Sequence, residues 1–258
     1  MSASNDSFSK TIIVAVGLCL FCSLVVSGAA VMLKDDQQAN KAADVQRSIL
    51  IAAKLVKPDE QTDFTKLFNE KVEAKVIELS TGKEASQFEA ASFNQRQAAK
   101  DPATSEKLAK KEDPASIKRK SKFAKVYLVK NGDKIESIVL PIHGYGLFST
   151  LYGFIALEAD TRTVAGIRFY EHGETPGLGA EIENPQWVAK WPGKVVLSKT
   201  YEPSLELVKT GAQDTNEVDA LSGASYTSTG VENLVNYWLG NKGFGPFLAK
   251  VRGGQHGV

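Results

Sequence analysis

From Thr11 to Leu33 the chain reads TIIVAVGLCLFCSLVVSGAAVML, 23 residues without a charge. At about 1.5 Å rise per residue, a helix of that length covers the roughly 30 Å hydrocarbon core of a bilayer. Lys10 and Lys34 bracket the run. A signal peptide is the rival reading, with Lys10 as its basic flank and Ser27-Gly28-Ala29 as a small-residue cleavage site. The apolar stretch continues past that site through Val31, Met32 and Leu33, which favours a membrane anchor. Charge does not orient the span, because Lys10 precedes it while Lys34, Lys41 and Arg47 follow.

Cys19 and Cys22 have C-x-x-C spacing but lie inside this run, where a thiolate would be costly to desolvate. They read as small apolar helix residues. No cysteine follows Cys22, so the remainder holds no disulfide or thiolate metal site. With 31 basic and 30 acidic residues the formal net charge is +1, which excludes the cationic excess that nucleic-acid binding needs.

Beyond the anchor (1–34) two further parts are expected. Residues 35–122 read as a helical and polar segment. Its helical face carries Ala43, Ile49, Leu50, Ala53 and Leu55 over residues 37–56, ahead of Pro58. Phe64, Leu67 and Phe68 suggest a short helix, and Ala74 to Leu79 a strand. From Gly82 to Lys122 interspersed Lys, Ala, Ser, Gln and Glu read as a solvated excursion with some helix, outside the core. Residues 123–258 are different in character. FAKVYLVK (123–130) and KIESIVLPI (134–142) flank Asn131-Gly132, a strong hairpin signal. Leu151–Glu158 and Thr163–Tyr170 form a second strand pair around Asp160, and Lys194–Ser198 and Leu205–Lys209 are further strand candidates. Strands followed by a late helix predict an α+β domain with a mixed, mainly antiparallel sheet. No G-x-G-x-x-G fingerprint is present, which argues against a Rossmann nucleotide site.

His143, His172 and His256 are the only histidines, and none has a metal-like partner spacing. G-x-S-x-G is lacking, so hydrolase chemistry is disfavoured. Three glycine-rich segments are more informative: residues 143–148 (HGYGLF), 171–179 (EHGETPGLG) and 219–228 (DALSGASYTS). Glycine lets backbone approach a ligand closely. After the third segment, Thr229-Gly230-Val231-Glu232 fits a capping box, and Val231, Leu234, Val235, Trp238 and Leu239 follow at helical spacing up to Gly240. Ser222–Ser228 would then be a hydroxyl-rich loop entering a helix N-terminus, where free N–H groups and the dipole favour a phosphate.

The pattern D-x-x-S-G-A-[ST]-x-T at Asp219–Thr227 resembles the flavinylation motif recognised by flavin transferases. GETPGLGAEIENPQW (173–187) and YWLGNKGFGPFLAKVR (237–252) resemble the C subunits of the sodium-translocating NADH:quinone reductases, of the FMN-binding domain family. Together with the anchor and HGYGLF, the likeness covers nearly the whole chain. It implies an electron-transfer component of a complex of six subunits in the bacterial inner membrane, single-pass, with residues 35–258 periplasmic and 123–258 binding FMN. A flavin transferase would link the FMN phosphate covalently to Ser225, where the family usually has Thr; Thr227 is the other candidate hydroxyl. Gly223, Ala224 and Ser228 would complete the attachment loop, and Asp219 and Ser222 would serve transferase recognition. Glu174, Thr175, Leu178 and Gly179 would line the isoalloxazine, with Tyr145, Gly146, Leu147 and Phe148 on the opposite side and Lys209 supplying positive charge. Two alternatives stay open: the G subunit of an Rnf-type electron-transport complex, and a membrane-tethered small-ligand sensor.

Overall fold

A computed structural model describes residues 8–132 and 134–254, so His256 lies outside the described residues. The chain divides into two compact units, Met1–Asp44 and Val45–Val258. In the first, α1 (Phe8–Met32) buries no residue. Among the described residues it is the one helix long and apolar enough to cross a membrane. Its 25 residues extend about 37 Å, and it is apolar on every side, as a lipid-facing helix must be. α2 (Lys34–Ala52) is polar and exposed as far as Asp44; Ile49, Leu50 and Ala52, in the second unit, are fully buried. The helix stops where Lys54 takes a φ of +57°, short of the expected end at residue 56.

In the second unit, α3 (Phe64–Lys71) is capped by Asp63, which accepts from Lys66 N at 3.0 Å. It leads into β1 (Val72–Glu78). The segment read as a solvated excursion is more structured than its composition suggests. It holds α4 (Gln95–Ala98) and the antiparallel pair β2 (Ser105–Lys107) and β3 (Arg119–Ser121), and it places Ala115 and Lys120 in the interior. The Lys120 ammonium tolerates burial because it donates to the Lys242 carbonyl and pairs with Glu106 at 3.1 Å.

β4 (Phe123–Asn131) and β5 (Lys134–Tyr145) make the hairpin expected around Asn131-Gly132. β6 (Thr150–Glu158) and β7 (Val164–Glu171) make the second pair. Its turn is organised by Asp160, which accepts from the backbone N–H groups of Arg162 and Thr163 at 2.8 Å. These strands and β1 form one antiparallel sheet in the order β1-β4-β5-β6-β7. Side chains alternate between its faces. Tyr127, Val129, Val139 and Phe154 meet Ile49 and Leu50 of α2. Leu128, Leu140, Ile142, Leu151 and Phe169 enter the larger core.

That core is closed by the C-terminal elements: α5 (Pro185–Val188), the short parallel pair β8 (Glu206–Val208) and β9 (Glu217–Asp219), α6 (Ser225–Leu239) and α7 (Gly245–Arg252). The α+β class read from the sequence is the architecture observed. Lys194–Ser198, however, is no ladder strand; it is joined only by single bridges, Thr163 to Val195 and Leu197 to Pro203. The capping box at Thr229–Glu232 is also overturned. α6 begins five residues earlier, at Ser225 with Ala224 as its N-cap, and the Glu232 carboxylate accepts from Leu207 N at 2.7 Å instead of capping the helix. Trp238 ties α6 to the sheet, its Nε1–H donating to the His143 carbonyl at 2.6 Å.

Candidate functional site

The β5–β6 turn, the segment after β7 and the first turn of α6 meet at one carboxylate, that of Glu174. It is 5% exposed. It accepts from the backbone N–H groups of Leu147 (3.2 Å), Phe148 (3.0 Å) and Ser149 (3.1 Å), and from the Thr227 hydroxyl at 2.7 Å. Burial alone would push its pKa up. The hydrogen bonds from Thr227, Phe148, Leu147 and Ser149 outweigh burial and hold the pKa below the ordinary carboxylate value. The His172 Nδ1 accepts from Glu174 N at 3.2 Å, and its Nε2 lies 3.4 Å from Glu183. The three glycine-rich segments of the sequence thus converge, although they are up to 80 residues apart.

At Gly179 a side chain has no room: a Cβ there would lie 2.6 Å from Thr227 Oγ1 and 2.7 Å from Glu174 Oε2. Gly223, at φ +73°, turns the loop ahead of α6 toward Leu178, whose Cδ2 would be 3.2 Å from an added Cβ. Small residues at these positions are therefore what allow the loops to close on α6.

α6 starts without a side-chain cap, Ala224 standing at the N-cap. Its first N–H groups and positive dipole end are left for another acceptor. The hydroxyls of the motif separate into two classes. Thr227 is 1% exposed and given to Glu174; Ser228 is 3% exposed, donating to the Ala224 carbonyl and accepting from Leu221 N, both at 3.0 Å. Ser222 and Ser225 are exposed. Asp219 is engaged in holding the turn. Its carboxylate accepts from Ala212 N at 2.9 Å and from the Lys190 ammonium at 2.7 Å, and its carbonyl accepts from Trp187 Nε1 at 2.8 Å. The N–H of Ala212, seconded by Lys190, lowers its pKa.

The three glycine-rich segments carry most of the exposed large hydrophobic side chains of the second unit. Tyr145, Leu147, Phe148, Leu178 and Tyr226 are all exposed, Phe148 at 62% and Tyr226 at 74%; among the described large hydrophobic residues after Leu33, Tyr201 is the only other one exposed. Thr175 is exposed, and its carbonyl accepts from the N–H groups of Leu178 and Ala180. Lys209, just beyond β8, is exposed and makes no ion pair among the described residues, so the structure does not bring it into this cluster through a contact. Sequence reasoning misses Ser149 and Tyr226. Ser149 follows the HGYGLF segment as an ordinary turn residue, and Tyr226 fills the variable position of its motif. The surface hollows lined by Arg47 and Asp59–Phe64, and by Tyr201, Leu248 and Arg252, include no residue of the three glycine segments.

Residues 146–240 match the family model described as FMN-binding domain. Over 254 residues the chain is 48% identical to the C subunit of the Na(+)-translocating NADH-quinone reductase of Vibrio vulnificus, covering 98% of each chain. It is 44% identical to the C subunit of the same enzyme from Pseudomonas aeruginosa, over 98% of this chain and 99% of the relative. The crystal structure of Shewanella oneidensis NqrC superposes with a TM-score of 0.78 at 37% identity, covering 83% of this chain and 99% of that one. The corresponding protein of Parabacteroides distasonis superposes at 0.65 with 25% identity, over 84% of this chain and 96% of that one. At 44–48% identity to such subunits over 98% of its length, the chain belongs to the family of C subunits of Na(+)-translocating NADH-quinone reductases.

Proposed function

We propose that this chain is the electron-transfer subunit of a membrane-bound, sodium-translocating NADH:quinone reductase, with FMN esterified through its phosphate to Ser225 Oγ. The match to an FMN-binding domain over residues 146–240 supports the cofactor. The observation that carries the attachment is the contrast among the motif hydroxyls: Ser225 is exposed at the first position of an uncapped helix, whereas Thr227 and Ser228 are buried and hydrogen-bonded.

The residues present fit the group. A phosphate at Ser225 lies where the α6 N–H groups and dipole stabilise negative charge. The exposed ring faces and aliphatic side chains of Tyr145, Leu147, Phe148, Leu178 and Tyr226 offer an apolar rim for a planar ring system. FMN supplies the one- and two-electron redox chemistry; the protein supplies placement and electrostatics. Attachment balances as a transfer from FAD: the Ser225 Oγ–phosphorus bond forms, the pyrophosphate bond of FAD breaks, AMP leaves, and the hydroxyl proton is released to the flavin transferase or to solvent. Asp219, already bonded to Ala212 and Lys190, fixes the turn that presents the motif.

Residues 1–34 act as the anchor, and the domain that follows lies on the periplasmic side. One apolar helix cannot enclose an ion path, so sodium movement belongs to the assembled complex of six subunits. The likeness to subunits of this enzyme outweighs the Rnf-type and sensor readings. The test is the mass of the chain co-expressed with a flavin transferase, followed by sequencing of the tryptic peptide 210–242. An FMN adduct on Ser225 is expected; an unmodified chain would overturn the assignment.

A further inference from the structure

The β5–β6 turn has the form of an anion-binding nest, a concavity made by successive backbone N–H groups. Gly146 N donates to the Ser149 carbonyl at 2.8 Å and closes the turn. The N–H groups of Leu147, Phe148 and Ser149 then point to one place. The anion they hold is the chain's own Glu174 carboxylate. Its second oxygen takes the Thr227 hydroxyl, from the first turn of α6, at 2.7 Å. Two glycines wall it in: a Cβ on Gly146 would stand 2.8 Å from Oε1 and one on Gly179 2.7 Å from Oε2. The same turn carries Leu147 and Phe148, whose side chains project outward and are exposed. The Tyr145 hydroxyl braces it from outside, donating to the Phe148 carbonyl at 3.1 Å.

From this arrangement we infer that Glu174 is a positioning residue: it does not face the flavin, but its buried carboxylate locks the Leu147–Phe148 rim to the helix turn that bears Ser225, and so orients the ring system of the attached flavin. The inference rests on the attachment at Ser225 proposed above. Its physical core is a mismatch that other residues could not tolerate. Three N–H donors, from Leu147, Phe148 and Ser149, and two O–H donors, from Ser149 and Thr227, converge on a carboxylate that is 5% exposed. Only a group with acceptor capacity on both atoms satisfies them. Glutamine has the same shape but turns an NH2 toward one of the two donor sets, leaving buried donors facing a donor.

The experiment uses the full chain co-expressed with a flavin transferase and purified in detergent, as wild type, Glu174→Gln and Thr227→Val. Wild-type mass at Ser225 tests the attachment by itself. Glu174→Gln is expected to retain the adduct and the far-ultraviolet circular dichroism of the fold. Hydrogen exchange at the Leu147, Phe148 and Ser149 amides should accelerate at least tenfold. The visible circular dichroism of the flavin should be largely lost, and its fluorescence anisotropy should fall toward that of the flavinylated 210–242 peptide. Thr227→Val, which removes one donor and keeps the nest, should shift the same readings by a smaller amount; it decides the matter if the glutamine variant does not fold. Unchanged exchange and unchanged flavin dichroism in a folded, flavinylated variant would overturn the inference. A wild-type chain lacking the adduct, with amide exchange still dependent on Glu174, would refute the attachment and leave the clamp standing.

Discussion

Ser225 and Thr227 are two residues apart in the first turn of one helix, yet one hydroxyl is open to solvent while the other is 1% exposed and donates to Glu174 at 2.7 Å. Sequence patterns treat the two as near equivalents. Their surroundings do not.

Ser225→Ala is accordingly expected to abolish the flavin fluorescence that survives denaturation in a gel. Thr227→Val should leave the label on Ser225. Ser225→Thr should accept flavin, since the added methyl group sits at an exposed position. A fluorescent band in Ser225→Ala, traced to Thr227 by peptide mass spectrometry, would show that the helix start opens enough to expose the inner hydroxyl.

Gly230→Ala separates local preference from packing. In a helix interior alanine is favoured over glycine by about 1 kcal/mol. In α6 the added Cβ would lie 2.6 Å from the Tyr145 carbonyl oxygen and 3.1 Å from Gly146 Cα, both backbone atoms of the β5–β6 turn. Overpacking of this kind costs about 1–3 kcal/mol, so the variant should be less stable than wild type by about 1 kcal/mol. The urea midpoint measures it; a raised midpoint would mean that the turn moves away at little cost.

His143 sets an acid limit. Burial, reinforced by the positive charge of Arg96 and opposed by Asp113, lowers its pKa from 6.5 to about 4. The unfolded chain binds the extra proton between those values, so stability should fall as pH drops from about 6.5 to about 4 and this contribution should level off below. At about 1.4 kcal/mol per unit the loss is at most about 3.5 kcal/mol. Glu174, whose pKa is lowered in the fold, loses its contribution further down, as pH falls through the folded value. Urea midpoints at pH 7, 5.5 and 4.5 should decline in wild type and decline less in His143→Gln. Equal slopes would remove His143 from the account.

Deleting residues 1–34 removes α1 and retains the unit from Val45 onward. The product is expected to be soluble without detergent, to melt within a few degrees of the intact protein, and to take flavin from the transferase. A folded product that stays colourless would assign the anchor a part in maturation.

The features legible in the sequence are those whose cause is local. Asn131-Gly132 between two β-rich runs marks a hairpin because few residue pairs make so tight a turn, and 23 uncharged residues have few fates other than a membrane. The start of α6 is not legible, because Thr229-x-x-Glu232 satisfies the local rule for a cap as well as a true cap does. What extends the helix to Ser225 is tertiary: Thr227 bonds to Glu174, 53 positions away, and Ser228 holds Leu221. The interior position of Lys120 is equally hidden. Its carbonyl partner on Lys242 is 122 residues distant, and nothing in a run of lysines and alanines announces it. Lys194–Ser198 has strand composition but lies beyond the paired edge of the sheet, where only isolated bridges form. The glycine segments stand out as unusual; that they share one carboxylate does not.

Because folding itself hides Thr227, a correctly folded copy presents one aliphatic hydroxyl in the first turn of α6, that of Ser225, for the attachment proposed above. Fidelity of labelling then becomes a property of the acceptor. A maturation enzyme of modest discrimination could still deliver one prosthetic group per chain, and mislabelled molecules would report errors of folding, not errors of the enzyme.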